Sequence, residues 1–208
     1  MQISAEKTAN LSSRDMAETP WNLPNFITLI RIGLSPLLFA LPWYHGRWWS
    51  TFIGIAFLAV SLTDILDGYL ARSYGLESRL GKLLDPLADK VLMMTAFVML
   101  IAVGRMPFWS LPLVVAILGR ELAVSGLRGA AGDQGVVIPA SPLAKWKTGF
   151  QLGSLTALLI HWPFLGLPAH EIGLALLVIA TALTLISGYA YLRAYFETPP
   201  PTRPASRP

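Results

Sequence analysis

The chain has 208 residues, of which 54% are hydrophobic and 13% are charged, whereas an ordinary globular domain has roughly 45–50% apolar and about 25% charged residues. Together with a mean hydropathy of +0.55, this composition predicts an integral membrane protein rather than a soluble domain with a large core. The absence of cysteine excludes disulfides, thiolate catalysis, iron–sulfur clusters and cysteine-ligated zinc.

Six stretches of the chain are apolar and long enough to cross a membrane, which takes about 20 mostly apolar residues. Prolines and glycines interrupt the apolar sequence around residues 42–46, 104–107 and 163–168, as is typical of short turns. The sequence therefore predicts an all-α integral membrane protein with six transmembrane helices. The predicted spans are residues 25–44, 48–72, 81 or 85 to 104, 107–129, 143–162 and 169–196.

The two ends differ in composition from the region between them. Residues 1–20 are polar and lack the basic-then-apolar pattern of a secretory signal. Residues 198–208 are rich in proline and predicted to be disordered. We therefore expect an N-terminal tail at 1–20, a transmembrane domain at 21–197 and a C-terminal tail at 198–208.

Basic residues are distributed unequally between the two ends of the predicted spans. With six spans, 14 of the 16 lysines and arginines fall on the side of the termini, and only Arg47 and Arg105 fall on the other. Because basic residues accumulate on the cytoplasmic side, both termini are predicted to be cytoplasmic. Membrane topology thus explains the positive net charge, and we expect no nucleic acid partner.

Four aspartates lie at the predicted cytoplasmic ends of the second and third spans. Asp64 and Asp67 are three residues apart, and Asp85 and Asp89 are four apart, so each pair shares one helix face. The short link between the spans predicts antiparallel neighbours, on which the four carboxylates converge. Converging carboxylates repel one another and are costly near hydrocarbon, so the pattern predicts a bound cation.

Oxygen ligands without cysteine or histidine favour Mg²⁺, Mn²⁺ or Ca²⁺ over Zn²⁺. Four carboxylates carry enough charge for two such ions, which could clamp the attacking and leaving oxygens of a phosphoryl displacement. A carboxylate not fully committed to metal could accept a proton from a hydroxyl. Two other interpretations stay open: ion pairing of the aspartates with nearby basic side chains, and a divalent-cation transporter. Against a transporter, all four aspartates lie near one membrane face.

The string Asp64-x2-Asp67-Gly68-x2-Ala71-Arg72-x8-Gly81-x3-Asp85-x3-Asp89 resembles in full the signature of the CDP-alcohol phosphotransferase family. The resemblance implies a six-helix homodimer that transfers a substituted phosphate from a CDP-linked donor to an alcohol and releases CMP. It also implies that the four aspartates hold two divalent cations, Mg²⁺ or Mn²⁺, and that Asp89 is the general base. The residues implied to bind the donor are Asp64, Asp67, Gly68, Ala71, Arg72 and Gly81. Gly68 and Ala71 would leave room for cytidine, Arg72 would contact the phosphates, and Gly81 would allow close approach of backbone or nucleotide.

Basic residues within or at the start of the predicted spans indicate a pocket for an anionic acceptor. Arg31, Arg120, Lys145 and Lys147 have this placement, although each could equally be a residue that only sets topology. We assign Arg128 to topology alone. The blocks LPNFITLIRI, GRELAVSGLR and SPLAKWKTGFQ resemble the phosphatidylglycerophosphate synthase subfamily over most of residues 21–196, with Ala144 where that subfamily often has glycine.

This second resemblance implies CDP-diacylglycerol as the donor and glycerol 3-phosphate as the acceptor, with phosphatidylglycerophosphate and CMP as products. Inositol phosphate or serine as the acceptor stays open. The donor's acyl chains would remain in membrane lipid, and the implied location is a bacterial inner membrane with the active site facing the cytoplasm. Glu121 would orient a basic side chain or form an ordinary ion pair. Arg31, Arg120, Lys145 and Lys147 would bind the acceptor phosphate, with Asn25, Thr28 and Thr148 near the active site.

Overall fold

The computed structural model describes residues 33, 38, 46–74, 79–133 and 142–197, and within these ranges it places the side chains of 33, 38, 46–63, 88, 90–132 and 143–197. In the described ranges the chain is helical, and its only β-type pairing is an isolated bridge between Phe164 and Leu167. The predicted all-α class is confirmed there. The elements are α1 (Arg47–Tyr74), α2 (Arg79–Ala102), a short 3-10 helix (Phe108–Ser110), α3 (Leu111–Asp133), α4 (Pro142–Ile160) and α5 (Ala169–Glu197).

The five α-helices correspond to the second to sixth predicted spans. Both ends of α1, α4 and α5 fall within about two residues of the predicted bounds, because proline and glycine interrupt the apolar sequence there. The first predicted span and the two tails lie outside the described residues, apart from positions 33 and 38. The number of spans and the side of the termini therefore stay predictions.

Both ends of α3 lie four residues later in the chain than the predicted bounds, 107 and 129. Gly104 has a φ of +68°, a left-handed conformation that suits glycine. Pro107 is extended, and its carbonyl accepts hydrogen bonds from the backbone N–H and the hydroxyl of Ser110, at 2.9 Å and 2.7 Å. The chain therefore makes a 3-10 turn first, and α3 begins at Leu111 rather than at the predicted Pro107.

The chain divides into two compact units, one ending at Val103 and the other beginning at Gly104. In the first unit, α1 buries Ile53 and Phe57, and α2 buries Leu92, Ala96 and Leu100. Residues four apart lie on one side of a helix. Each of these two helices therefore has one buried face.

In the second unit, α5 packs along α4 and also against α3. The contact with α4 is close at Gly173, where an added Cβ would lie 2.8 Å from Leu158 Cγ and 3.0 Å from the Leu158 backbone nitrogen. The Ser154 hydroxyl donates to the Gly173 carbonyl at 2.8 Å. Glycine thus lets the two helix backbones approach closely, as small residues do between membrane helices.

The turn between α4 and α5 is tied to the loop before α3. Arg105 Nη1 donates to the carbonyl of Leu159 at 2.8 Å, and the Nδ1 atoms of His161 and His170 lie 3.2 Å apart. Burial, followed by the charges of Arg105 and His170, lowers the pKa of His161, while the carboxylate of Glu171 opposes this shift. The neutral imidazole is therefore the favoured form in this turn.

Within the described part of the chain, two segments are long and apolar enough to cross a membrane: Phe108–Gly132 and Ala169–Glu197. They expose large apolar side chains, with Val115 at 69% and Ile186 at 55% exposure, while Thr184 and Ser187 are buried. Apolar side chains outside and polar ones between the helices are the arrangement expected of helices that face lipid. The two helices indicate a membrane protein.

The close contact at Gly173 can be tested with Gly173→Ala and a matched control, Gly153→Ala. At Gly153 the added Cβ would meet Leu176 Cδ1 at 3.4 Å, an ordinary contact. Both changes raise helix propensity equally, but overpacking typically costs about 1–3 kcal/mol. We expect Gly173→Ala to unfold at a lower temperature than Gly153→Ala in detergent. Equal midpoints would contradict the close α4–α5 contact.

Candidate active site

The four aspartates lie on the two helices of the first unit. Asp64 and Asp67 fall in the C-terminal half of α1, and Asp85 and Asp89 fall in the N-terminal half of α2. Each pair stands in continuous helix, so the members of a pair share a helix face. Four residues, 75–78, separate α1 from α2. The aspartate side chains lie outside the described residues, so their convergence stays a prediction.

The other residues of the signature also lie on these helices. Gly68, Ala71 and Arg72 belong to α1, and Gly81 belongs to α2. Among the side chains that the structure does place, no group of three or more histidine, aspartate or glutamate side chains could hold a metal ion. The carboxylates of the signature remain the donor set whose chemistry fits a divalent cation, because they offer oxygen ligands only.

A cluster of charged and polar side chains joins α3 to α4 and α5 in the second unit. Glu121 Oε1 accepts a hydrogen bond from Lys147 Nζ and lies 3.5 Å from Arg120 Nη1. Arg120 Nη2 donates to the Ser187 hydroxyl at 3.0 Å. These four residues, which we call the Glu121 cluster, bring together two of the cations predicted to bind the acceptor phosphate.

The charges of the Glu121 cluster are shielded from solvent. The side chains of Lys147, Arg120 and Glu121 are 7%, 11% and 18% exposed. Buried charges are stable only when they are paired and hydrogen-bonded. Among these described side chains, two cations share one carboxylate. A neighbouring guanidinium and ammonium are groups suited to binding an anion.

The face of α5 towards α3 and α4 carries polar and small residues. The Gln151 amide donates to the Thr184 hydroxyl at 3.0 Å, and the Ser187 hydroxyl donates to the Thr184 carbonyl at 3.1 Å. At Gly188 an added Cβ would lie 2.8 Å from Arg120 Cγ. Arg120 thus lies directly against the α5 backbone, and glycine provides the space.

Sequence reasoning missed the contribution of Gln151, Thr184, Ser187 and Gly188. The available signal was the spacing of three and four residues between the small and polar positions of α5. In a helix that is otherwise apolar, such spacing places these residues on one face. Small and hydroxyl-bearing residues in membrane helices most often mark helix packing, so the sequence did not separate packing from a site.

Two further residues predicted at or near the acceptor, Lys145 and Thr148, do not join the Glu121 cluster. Lys145 is exposed, and two residues along a helix turn by about 200°, so it lies on another side of α4 from Lys147. Thr148 is also exposed, and its hydroxyl donates to the Ala144 carbonyl at 3.2 Å. The predicted residues Asn25, Thr28 and Arg31 lie outside the described residues.

Arg128, which the sequence assigned to topology alone, has a specific contact in the structure. Its guanidinium carbon lies 5.7 Å from the centre of the Tyr191 ring, within the range of a cation–π interaction. Tyr191 is buried, and its hydroxyl has no hydrogen-bond partner. This contact is a second link between α3 and α5, one turn along α5 from Gly188.

The chain is similar to known proteins over most of its length. The family model for CDP-alcohol phosphatidyltransferase matches residues 21–186. The CDP-diacylglycerol–glycerol-3-phosphate 3-phosphatidyltransferase of Bacillus subtilis (strain 168) is 37% identical over 190 residues, covering 85% of this chain and 96% of the relative. The protein of the same name from Rickettsia typhi is 37% identical over 174 residues, covering 83% of this chain and 96% of the relative.

A relative with a different name is nearly as similar. The cardiolipin synthase (CMP-forming) of Oryza sativa subsp. japonica is 35% identical over 186 residues, covering 82% of this chain and 56% of the relative. The family model spans the whole aspartate signature, which confirms the resemblance read from the sequence. The chain belongs to the CDP-alcohol phosphatidyltransferase family.

Proposed function

We propose that this protein transfers the phosphatidyl group from CDP-diacylglycerol to glycerol 3-phosphate, giving phosphatidylglycerophosphate and CMP. The observation that carries the choice of acceptor is the Glu121 cluster, in which Arg120 and Lys147 share one shielded carboxylate. The B. subtilis and R. typhi relatives, whose names state this reaction, support the proposal. The aspartate signature at 64–89 supports the transfer chemistry itself.

The donor site in this proposal is the first unit. Asp64, Asp67, Asp85 and Asp89 would hold two divalent cations, Mg²⁺ or Mn²⁺, which prefer oxygen ligands. Such ions, when bound, supply charge neutralisation at the donor pyrophosphate and at the leaving CMP. On the same two helices, Gly68 and Ala71 would leave space for cytidine, and Arg72 would contact the phosphates. Gly81 would allow close approach of backbone or nucleotide.

The proton transfer in this proposal belongs to Asp89. Its carboxylate accepts the proton of the acceptor hydroxyl, and the hydroxyl oxygen attacks the phosphorus of the phosphatidyl group in line. The new oxygen–phosphorus bond forms as the bond to CMP breaks, so CMP leaves with the second phosphate. Holding both reactants in this alignment supplies much of the rate enhancement.

The acceptor phosphate in this proposal binds at the Glu121 cluster. A phosphate dianion accepts charge-assisted hydrogen bonds from guanidinium and ammonium groups, and Arg120 and Lys147 supply one of each. Arg31 and Lys145 complete the proposed set of cations, with Asn25, Thr28 and Thr148 nearby. Of this set, Arg120 and Lys147 have the support of the observed contacts.

The proposed setting is a homodimer of six-span chains in the bacterial inner membrane, with both termini and the active site on the cytoplasmic side. The apolar surfaces of α3 and α5 support residence in lipid. The 14-to-2 distribution of basic residues in the sequence supports the orientation. In this setting the donor's acyl chains stay in lipid while the water-soluble acceptor arrives from the cytoplasm.

The reaction can be tested with purified protein, CDP-diacylglycerol, and Mg²⁺ or Mn²⁺. We expect CMP release with glycerol 3-phosphate and none with glycerol, because glycerol lacks the phosphate that the cations bind. Inositol phosphate and serine complete the acceptor panel. An absence of CMP release with every acceptor would contradict the enzyme, and release with inositol phosphate or serine alone would reassign the acceptor.

The role of Asp89 can be tested with Asp89→Asn, which keeps the shape of the side chain but removes its charge and basicity. We expect kcat to fall by about 10²-fold or more, the usual contribution of a general base. The thermal midpoint in detergent should stay close to that of the unmodified protein. A variant with nearly full kcat would refute the assignment of Asp89 as the base.

The acceptor site can be tested by comparing Lys147→Ala with Lys145→Ala, the same change two residues away on the exposed side of α4. Removing a charged hydrogen-bond donor costs about 1.5–3 kcal/mol, so Lys147→Ala should raise the KM for glycerol 3-phosphate by roughly tenfold or more. The KM for the donor should change little. We expect a smaller rise in the KM for glycerol 3-phosphate with Lys145→Ala. Equal effects of both changes would contradict a larger role for the buried Lys147 than for the exposed Lys145.

A further inference from the structure

We infer that Glu121 is a positioning residue for the acceptor: its carboxylate holds Lys147 and Arg120 in a prealigned cation pair that binds the acceptor phosphate. This inference rests on the proposed function and assigns Glu121 a role within it. It goes beyond a helix-to-helix ion pair, because the carboxylate would set the geometry of the phosphate site before the acceptor arrives.

The contacts restrict both cations through one oxygen atom. Glu121 Oε1 is the partner of Lys147 Nζ and also lies 3.5 Å from Arg120 Nη1. Like charges at such short range repel each other strongly where water is excluded. The carboxylate between them offsets this repulsion, so that two cations from different helices can stay side by side without a bound anion.

The far end of Arg120 is also fixed. Its Nη2 donates to Ser187, whose hydroxyl is itself bonded to the Thr184 carbonyl. Its aliphatic stem lies against Gly188, where even a methyl group would come within 2.8 Å of Cγ. The guanidinium therefore has little freedom to turn, and the contact with Glu121 holds Lys147 beside it.

Burial gives a physical reason for placing a carboxylate in an anion site. The side chain of Lys147 is only 7% exposed, and a buried ammonium without a counter-ion costs several kcal/mol. The contact with Glu121 offsets part of that cost before the acceptor binds, at the expense of some repulsion with the phosphate. Binding then gains from preorganisation, because the cations do not have to be ordered when the acceptor enters.

An ordinary structural ion pair between α3 and α4 would show the same contacts but different kinetics. Loss of a purely structural pair lowers stability, and any change in kinetics affects the KM values for donor and acceptor alike. Loss of a positioning residue for the acceptor raises the KM for the acceptor selectively. The chain offers a matched control in Arg193–Glu197, an ion pair within α5 whose side chains are 65% and 61% exposed and which should contribute little.

The experiment compares Glu121→Gln with Glu197→Gln in steady-state assays of CMP release. Glutamine keeps the length of the side chain and an oxygen that accepts a hydrogen bond, but it loses the charge. We expect Glu121→Gln to raise the KM for glycerol 3-phosphate by roughly tenfold, the size of one charge-assisted hydrogen bond. The KM for CDP-diacylglycerol and kcat at saturating acceptor should stay within about twofold. Glu197→Gln should leave all three values unchanged.

A second variant and a binding measurement guard against misfolding and separate this inference from the proposed function. Glu121→Asp keeps the charge on a shorter side chain. Its KM for glycerol 3-phosphate should therefore lie between those of the unmodified protein and Glu121→Gln. Glycerol 3-phosphate should raise the thermal midpoint of the unmodified protein and raise that of Glu121→Gln much less. Equal protection of both proteins, or a lower acceptor KM in Glu121→Gln, would overturn the inference. An absence of CMP release by the unmodified protein would instead overturn the proposed function.

Discussion

Charged side chains that are shielded from water need partners of opposite charge. In the second unit, the Glu121 carboxylate is such a partner for two cations. Lys147 comes from α4 and Arg120 from α3, and both side chains are almost entirely buried. The cost of leaving either charge unpaired would be several kcal/mol, a large share of the stability of an ordinary domain. Two residues of α5 also accommodate the buried Arg120. Ser187 accepts a hydrogen bond from its guanidinium, and Gly188 leaves space for its side chain.

The aspartate signature has the opposite charge, because its four carboxylates on α1 and α2 are negative. The two regions are therefore complementary in chemistry, and the proposed reaction needs both. A nucleotide pyrophosphate requires cations to neutralise it, which carboxylates can hold, and a phosphate-bearing acceptor requires protein cations. The proposal assigns the donor to the acidic unit and the acceptor phosphate to the basic cluster.

Much of the helical organisation could be predicted from the sequence, because hydropathy and turn residues act locally. The start of α3 could not be predicted, since the hydrogen bonds between Ser110 and Pro107 produce a 3-10 turn that no hydropathy pattern reveals.

The signature aspartates were recognisable from spacing, and family membership is confirmed by comparison with known proteins. Lys145 and Lys147 were indistinguishable in sequence, since only the packing of α4 shows which of them is buried. Ser187 and Gly188 were missed because their contacts depend on Arg120, which is distant in the chain.

The central claim is that the acceptor phosphate binds Arg120 and Lys147 beside Glu121. An experimental structure with glycerol 3-phosphate and a divalent cation bound tests it most directly. We expect phosphate oxygens at about 2.7–2.9 Å from Lys147 Nζ and from the Arg120 guanidinium, the usual distance for charge-assisted hydrogen bonds, with Glu121 still in contact with Lys147. A phosphate bound elsewhere, with the Glu121 cluster unchanged and without a ligand, would contradict it.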